Sequence, residues 1–325
     1  MVKLRSAYYC NLKLLLILLV VWGHWLEPRL RTDGHAMALY RWIYLVHMPL
    51  FAFLSGLFVR TGDDCLRQLG RVAPIYSIAQ TLAVLFGGTV RWDTPWWHLW
   101  YLLSLGCWLC SGWLWLRFGR KPWSWAVLAI SVAVGALAGF LPWIGRAWSL
   151  SRTIVFFPWF FLGLLLRPEI PWHHLRLPSL GALAAAVWLT DPSAIPVTFL
   201  YHAAPYTAPE QFTLRLECDL LALPIGIILL AWCPRRRFPF TKAGEDTKSW
   251  YLLHSPVVWM LRQEPLLSPL FGSIALIFVI FQLSRWHTAP CGIIPGERRR
   301  PNGRISIHLR RTRKGRLPLS AGTDR

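Results

Sequence analysis

The sequence predicts an all-α fold, a polytopic integral membrane bundle of about 10 transmembrane helices. Hydrophobic residues make up 55% of the 325 positions, whereas only 15% are charged, compared with about a quarter in soluble domains. Apolar runs long enough to approach the width of a bilayer recur from one end of the chain to the other. The chain also has 21 Trp residues, whose rings typically anchor helix ends at the membrane interface.

The apolar runs define the predicted helices. They cover residues 7–26, 40–59, 73–90, 98–118, 124–143, 151–167, 177–190, 214–233, 248–262 and 268–286. The seventh and ninth are shorter than the ~20 residues that cross a bilayer upright. Either could instead be re-entrant or interfacial, so nine or eleven spans remain open alternatives.

Positive charges between the runs predict the topology. With the N-terminus inside, the inside segments before the tail contain 15 Lys and Arg residues and the outside segments contain 7. This bias follows the positive-inside rule and predicts that both termini are cytoplasmic. It also places Lys13 near the cytoplasmic face and His24 near the outer face.

The net charge of +20 would suit nucleic acid in a soluble protein. Here the charge is spread over loops between apolar runs, which favours lipid headgroups as partners, and no nucleic-acid module is visible. We expect a transmembrane domain over residues 1–286 and a basic, disordered cytoplasmic tail over 287–325. Alternatively, the tail is not a selected segment.

Cys107 and Cys110 form a CxxC pair inside an apolar run without a second pair, so no metal site is predicted.

The first run reads YYCNLKLLLILLVVWGH and carries two ionisable side chains. Lys13 and His24 are eleven helical steps apart, roughly 16 Å along the axis. An ionisable group inside an apolar helix indicates a functional site by default. The alternatives are that Lys13 snorkels to the near headgroups and that His24 anchors the interface between Trp22 and Trp25.

The second run contains five residues that interrupt its apolar pattern: His47, Pro49, Phe51, Ser55 and Gly56. Proline bends a membrane helix and leaves a carbonyl without its partner. The Ser-Gly pair permits close approach of a neighbouring helix. Site and packing roles both remain open, and for the histidine the alternative is a backbone carbonyl partner.

These motifs together resemble the acyltransferase 3 family of integral membrane acyltransferases, in particular its fucose 4-O-acetylase-like branch. The resemblance begins with Lys13-x10-His24 and HMPLFAFLSG. It continues through WWHLWYLLSLGCW (96–108), SRTIVFFPWFFLGLLL (151–166) and GEDTKSWYLLHSPVV (244–258). The matching stretches span roughly residues 5–260 in the family's order.

The resemblance implies a membrane-bound acyltransferase of the EC 2.3.1 type, which transfers groups other than amino-acyl groups. The expected reaction moves an acyl group, commonly acetyl, from acyl-CoA as cosubstrate to a hydroxyl of a sugar or surface polysaccharide. The implied partners are a glycan acceptor and membrane lipids, without metal or nucleic acid. The implied location is the bacterial inner membrane.

The resemblance also assigns roles to residues. His24 is the expected general base, because imidazole titrates near neutral pH. Lys13 is expected to place a positive charge on the phosphates of coenzyme A or on the acyl carbonyl. We expect direct transfer, because no serine lies in a nucleophile-elbow pattern. The candidate substrate-binding residues are His47, Phe51, Ser55, Arg152 and His254.

Other roles remain open for several of these positions. Arg152 could be an ordinary loop arginine and His254 a structural histidine. His98 and Trp100, at the start of the fourth run, are predicted to anchor that helix at the interface. Glu217 and Asp219, early in the eighth run, are predicted to favour its N-terminus through the helix dipole.

Cys10 departs from the family pattern, which has aspartate immediately before Asn11, and Lys13 stands where many members have arginine. An inactive family member is therefore one alternative. A transporter of a lipid-linked sugar or acyl donor is another, although the chain shows no internal repeat of the kind common in transporters.

Overall fold

The computed structural model describes residues 2–86, 90–166 and 170–245, together with positions 247, 250–252, 254, 255 and 258. Most of the predicted ninth run, the tenth run and the basic tail lie outside the described residues. Within the described part there are eight α-helices. They are α1 (Val2–Leu26), α2 (Gly34–Leu57), α3 (Gly62–Phe86), α4 (Trp100–Phe118), α5 (Ser124–Leu137), α6 (Leu150–Leu165), α7 (Arg176–Leu189) and α8 (Gln211–Trp232).

Each of the first eight predicted runs overlaps one of these helices, which confirms an all-α membrane bundle, although α3 begins at Gly62, well before its predicted run. Among the described residues, six helical segments are long and apolar enough to cross a bilayer: Ala7–Arg29, Gly34–Leu57, Gly62–Phe86, Trp97–Phe118, Lys121–Phe140 and Ala147–Leu165. Helix α7 has 14 residues, roughly 21 Å, in keeping with the short seventh run. The predicted number of ten spans stays a prediction.

Two glycines allow α2 and α6 to cross in close contact. A Cβ at Gly56 would collide with the carbonyl oxygen of Phe160, and a Cβ at Gly163 would collide with that of Phe53. Small residues at such a crossing let two backbones approach within van der Waals distance. The Ser-Gly pair of the second run therefore serves helix packing through Gly56.

Helix α4 is fixed to α6 by polar contacts inside the bundle. The indole Nε1 of Trp108 donates to the backbone oxygen of Thr153 at 2.8 Å, and the hydroxyls of Ser104 and Thr153 are 2.7 Å apart. Such buried polar groups need partners because unmade hydrogen bonds are costly in an apolar environment. Together these bonds set the position of α6 beside α4.

The chain after α8 returns to the N-terminal half of α1. Asn11, 6% exposed, donates through Nδ2 to the backbone oxygens of Pro234 at 2.9 Å and Arg236 at 3.0 Å. The hydroxyl of Thr241 donates to Asn11 Oδ1 at 2.6 Å. One asparagine thus holds the loop between α8 and the 3-10 helix Pro239–Glu245.

Helix α8 begins at Gln211, so the prediction that Glu217 and Asp219 lie at its N-terminus is wrong. Both residues are more than a turn inside the helix, beyond the range of the terminal dipole. Asp219 instead accepts a hydrogen bond from the indole Nε1 of Trp159 at 3.1 Å. The helix starts early because polar residues before the apolar run also adopt helical geometry.

Candidate active site

A cavity of about 50 Å³ lies among α1, α2, α4, α6 and the segment between α7 and α8. This volume has room for roughly three to five water molecules. Its lining combines three histidines and an arginine with several aromatic rings. The lining residues are Val20, His24, Tyr44, His47, Met48, His98, Trp100, Tyr101, Arg152, Phe156, Leu200, Tyr201 and Tyr251.

Helix α1 contributes His24 from its last turn. The preceding residue, Gly23, leaves space for the ring of Tyr44, which would lie 2.9 Å from a Cβ at that position. The Nδ1 atom of His24 is 3.8 Å from Oε2 of Glu27, one turn further along the chain. A carboxylate on that side favours a proton on Nδ1 and leaves Nε2 as the basic nitrogen.

Helix α2 contributes His47, which lies 4% exposed one turn below Tyr44. Its Nδ1 atom is 2.7 Å from the backbone oxygen of Ile43. Because a carbonyl oxygen can only accept, Nδ1 carries the proton and Nε2 is an acceptor. The carbonyl partner considered as an alternative for His47 is therefore present, and the residue lines the cavity as well.

Helix α6 contributes Arg152. Its Nε donates to the backbone oxygen of Tyr201 at 3.0 Å, and its guanidinium carbon lies 4.8 Å from the ring centre of Trp100. A cation over an indole face is held by the ring quadrupole. Arg152 therefore adds one fixed positive charge to the cavity wall.

A second histidine group connects the lining residue His98 to side chains outside the lining. His98 Nδ1 is 2.7 Å from the hydroxyl of Ser255, which is also 3.3 Å from His254 Nε2. The ring of His254 stacks on that of His24, with centroids 5.4 Å apart. The hydroxyl of Tyr251 donates to the backbone oxygen of His98.

Comparison with known proteins identifies the kind of chemistry. The model of the acyltransferase 3 family, described as an acyltransferase domain, matches residues 7–286, well over half of the chain. The chain belongs to this family. No curated protein and no solved structure matches it. It is accordingly an integral membrane acyltransferase.

Four of the seven residues predicted for the acyltransferase site come together. His24, His47 and Arg152 line the cavity, and His254 stacks on His24. These residues lie on segments that are distant in sequence. The cavity is therefore our candidate active site.

The other three predicted residues lie outside the cavity lining. Ser55 and the backbone oxygen of Phe51 both contact the hydroxyl of Tyr101, at 2.8 Å and 3.2 Å. They therefore support a lining residue from behind. Lys13 lies near the middle of α1, roughly 16 Å from His24 along the axis.

Several lining residues were not predicted from the sequence. His98 and Trp100 were expected only to anchor the fourth helix, and both line the cavity. Glu27, beside His24, follows the first motif by three residues. That i,i+3 spacing on one helical path is the only sequence signal that could have identified it.

The segment between α7 and α8 closes one side of the cavity and carries two perturbed groups. Burial raises the pKa of the Tyr201 phenol. Burial also holds the pKa of His202 well below its ordinary value, and the nearby charges of Arg215 and Arg152 act in the same direction. Among the described residues, no three His, Cys, Asp or Glu side chains are grouped to hold a metal ion.

Proposed function

We propose that the protein transfers an acyl group, acetyl in the simplest case, from acyl-CoA to a hydroxyl of a sugar or surface polysaccharide. The reaction takes place at the cavity, with His24 as general base. The observation that carries this proposal is the position of His24, which lines the cavity with Nδ1 facing Glu27. The resemblance to the fucose 4-O-acetylase-like branch supports a sugar hydroxyl as acceptor.

The proposed step is a direct transfer. His24 Nε2 takes the proton of the acceptor hydroxyl while the hydroxyl oxygen attacks the carbonyl carbon of the thioester. The C–S bond then breaks, His24 returns the proton to the sulfur, and coenzyme A leaves as the thiol. The carboxylate of Glu27 stabilises the transient imidazolium, in the way that an acidic residue orients histidine in hydrolase triads.

Arg152 supports the same step electrostatically. Its guanidinium, held by Tyr201 and Trp100, places a fixed charge where negative charge develops on the carbonyl oxygen. A preorganised charge in a buried site stabilises the transition state without reorganisation during the reaction. Arginine cannot lose its proton under these conditions, so the charge is constant.

Lys13 is proposed to act on the donor from the cytoplasmic side. It forms no hydrogen bond or ion pair with any described residue and is half-buried, in the first third of the apolar span Ala7–Arg29. An ammonium group at that level suits the phosphates of coenzyme A. We also propose, from the loop charges, that the protein lies in the bacterial inner membrane with both termini cytoplasmic, the catalytic domain over residues 1–286 and a basic tail after it.

The test compares His24→Ala with His35→Ala, an exposed histidine at the start of α2. Each variant is reconstituted in vesicles with radiolabelled acetyl-CoA and envelope glycans from cells that lack the protein. Loss of a general base costs about 10²–10⁴-fold in rate, so His24→Ala should lose transfer at an unchanged melting temperature. His35→Ala should match the wild type.

Full acyl transfer by His24→Ala would overturn the assignment of the base. Cells carrying each variant are also scored for glycan export. Normal export with unacylated glycan supports the transferase, whereas loss of export together with retained acylation indicates a transporter instead.

A further inference from the structure

The hydrogen bonds behind His98 determine which of its nitrogens carries the proton. The chain of contacts begins at His254, whose Nδ1 is 2.6 Å from the backbone oxygen of Tyr251. The oxygen can only accept, so Nδ1 of His254 carries its proton and Nε2 must be an acceptor when the ring is neutral. His254 is fully buried, which favours the neutral ring.

The hydroxyl of Ser255 links His254 to His98 and determines which nitrogen of His98 carries the proton. Its hydroxyl has one hydrogen and lies between His254 Nε2 at 3.3 Å and His98 Nδ1 at 2.7 Å. Since His254 Nε2 can only accept, the hydroxyl donates to it and the serine oxygen accepts from His98 Nδ1. This is the arrangement in which all three neutral groups are satisfied at once. His98 then carries its proton on Nδ1.

The remaining nitrogen of His98 is consequently an acceptor. Nε2 of His98 makes no hydrogen bond with any described residue, and the ring lines the cavity. Ser255 is 1% exposed and does not line the cavity, so it acts through His98 and does not meet a substrate itself. His47 presents a second acceptor by the same reasoning, through its bond to Ile43.

Two of the phenol hydrogens on the same walls are already given to backbone acceptors. The hydroxyl of Tyr101 donates to the backbone of Phe51, and that of Tyr251 donates to the backbone of His98. The lining therefore offers several imidazole acceptors while these phenol hydrogens are already used. A ligand that displaces water from the cavity must bring hydroxyl donors of its own, because unpaired buried acceptors are costly.

We propose that His98 is a substrate-binding residue whose Nε2 accepts a hydrogen bond from a second hydroxyl of the acceptor, next to the one that reacts at His24. Ser255 is its positioning residue. The proposal rests on the proposed function and narrows the acceptor to a molecule with neighbouring hydroxyls. It gives the sugar ring a fixed orientation relative to the base.

The first test measures the tautomer and needs no activity. Protein labelled with ¹⁵N-histidine is placed in nanodiscs, and the His98 signals are assigned by their loss in His98→Asn. We expect the Nδ1-protonated ring in the wild type and in Ser255→Thr, which keeps the hydroxyl. In Ser255→Ala the ring should move to the Nε2-protonated form that free imidazole prefers. An Nε2-protonated His98 in the wild type would overturn the proposal.

The second test uses two small probes of matched shape, cis-1,2-cyclohexanediol and cyclohexanol. The diol should shift the Nε2 signal of His98 at concentrations where the monohydric alcohol does not. Equal shifts with both probes would contradict a second-hydroxyl contact.

The third test separates this inference from the proposed function. In acetyl transfer to glycan fragments, His98→Asn keeps a donor towards Ser255 but removes the cavity acceptor, whereas His98→Gln can place an amide oxygen there. Loss of one neutral hydrogen bond should raise the KM for acceptor by roughly 2- to 13-fold in His98→Asn, with an unchanged KM for acetyl-CoA and partial rescue in His98→Gln.

An active wild type with an inactive His24→Ala and an unaltered His98→Asn would refute the role of His98 alone. A wild type without transferase activity would refute the proposed function, while the tautomer and the probe shifts would still be measurable.

Discussion

Asn11 offers the sharpest test of how the chain after α8 is held on α1. Its side chain bonds to the backbone oxygens of Pro234 and Arg236, and it accepts from the hydroxyl of Thr241. Asn11→Ala removes all three bonds and leaves these partners inside a buried contact. Asn11→Asp is nearly isosteric and keeps the acceptor for Thr241, but it loses the two donated bonds and sets a carboxylate against the two carbonyl oxygens.

The expected magnitude follows from the number of bonds. Each intramolecular hydrogen bond contributes about 0.5–1.5 kcal/mol net, and more when a buried partner is left unsatisfied. Asn11→Ala should therefore cost roughly 2–4 kcal/mol, and the melting temperature in detergent should fall by roughly 4–8 °C. Thr32→Ala, which removes one exposed bond to the backbone of Arg29, serves as the control and should change the melting temperature by less than about 1 °C.

Trypsin reports directly on the affected loop. The exposed arginines at positions 235–237 lie in the segment that Asn11 holds, so their cleavage should accelerate in Asn11→Ala and stay slow in Thr32→Ala. Thr241→Val should couple to Asn11→Ala, because the two residues share one bond. Unchanged cleavage together with an unchanged melting temperature would refute the role of Asn11 as the attachment point.

Three further outcomes are expected elsewhere. Gly56→Ala should lower the free energy of unfolding by about 1–3 kcal/mol or more, because its Cβ would collide with a carbonyl of α6. Gly181→Ala has open space around it and should be neutral or slightly stabilising in thermal melts. Gly23→Ala should reduce acyl transfer more than thermal stability, because it displaces Tyr44 from the cavity wall. The melting temperature of the wild type should fall as the pH drops below ~6.5, because histidine in the unfolded chain gains a proton that folded His202 does not accept. His202→Asn should make the melting temperature less dependent on pH, since asparagine tolerates the positive φ of 49° at this position.

A different result would contradict each of these three predictions. Equal melting temperatures for Gly56→Ala and Gly181→Ala would contradict the close crossing. Full transfer by Gly23→Ala would separate the glycine from the cavity. A pH dependence that is unchanged in His202→Asn would assign acid sensitivity to other groups.

Sequence alone predicted most of the described helices, because a membrane requires each spanning segment to satisfy its own backbone hydrogen bonds. Apolar runs therefore correspond to helices almost one to one. The boundaries were less certain, as α8 shows: it begins at Gln211, ahead of its apolar run, where polar residues continue the helix. That early start is why Asp219 is an internal residue.

The site was predictable where a single helix carries its own signal. His24, His47 and Arg152 interrupt apolar runs and lie together in the cavity. His98 could not be found in this way, because its partner Ser255 is 157 residues away in the chain. A pairing over that distance depends on how helices pack, and no local periodicity records it.

A small change of angle where α2 and α6 cross is amplified at the cavity, because both helices extend well beyond the crossing. From Gly56 to His47 the helix extends roughly 14 Å, and from Gly163 to Arg152 roughly 16 Å. A tilt of about 5° at this fulcrum would therefore move either side chain by roughly 1 Å at the cavity. Displacements of that size can cost about 10²-fold in rate, so residues at the crossing set catalytic geometry without touching a substrate.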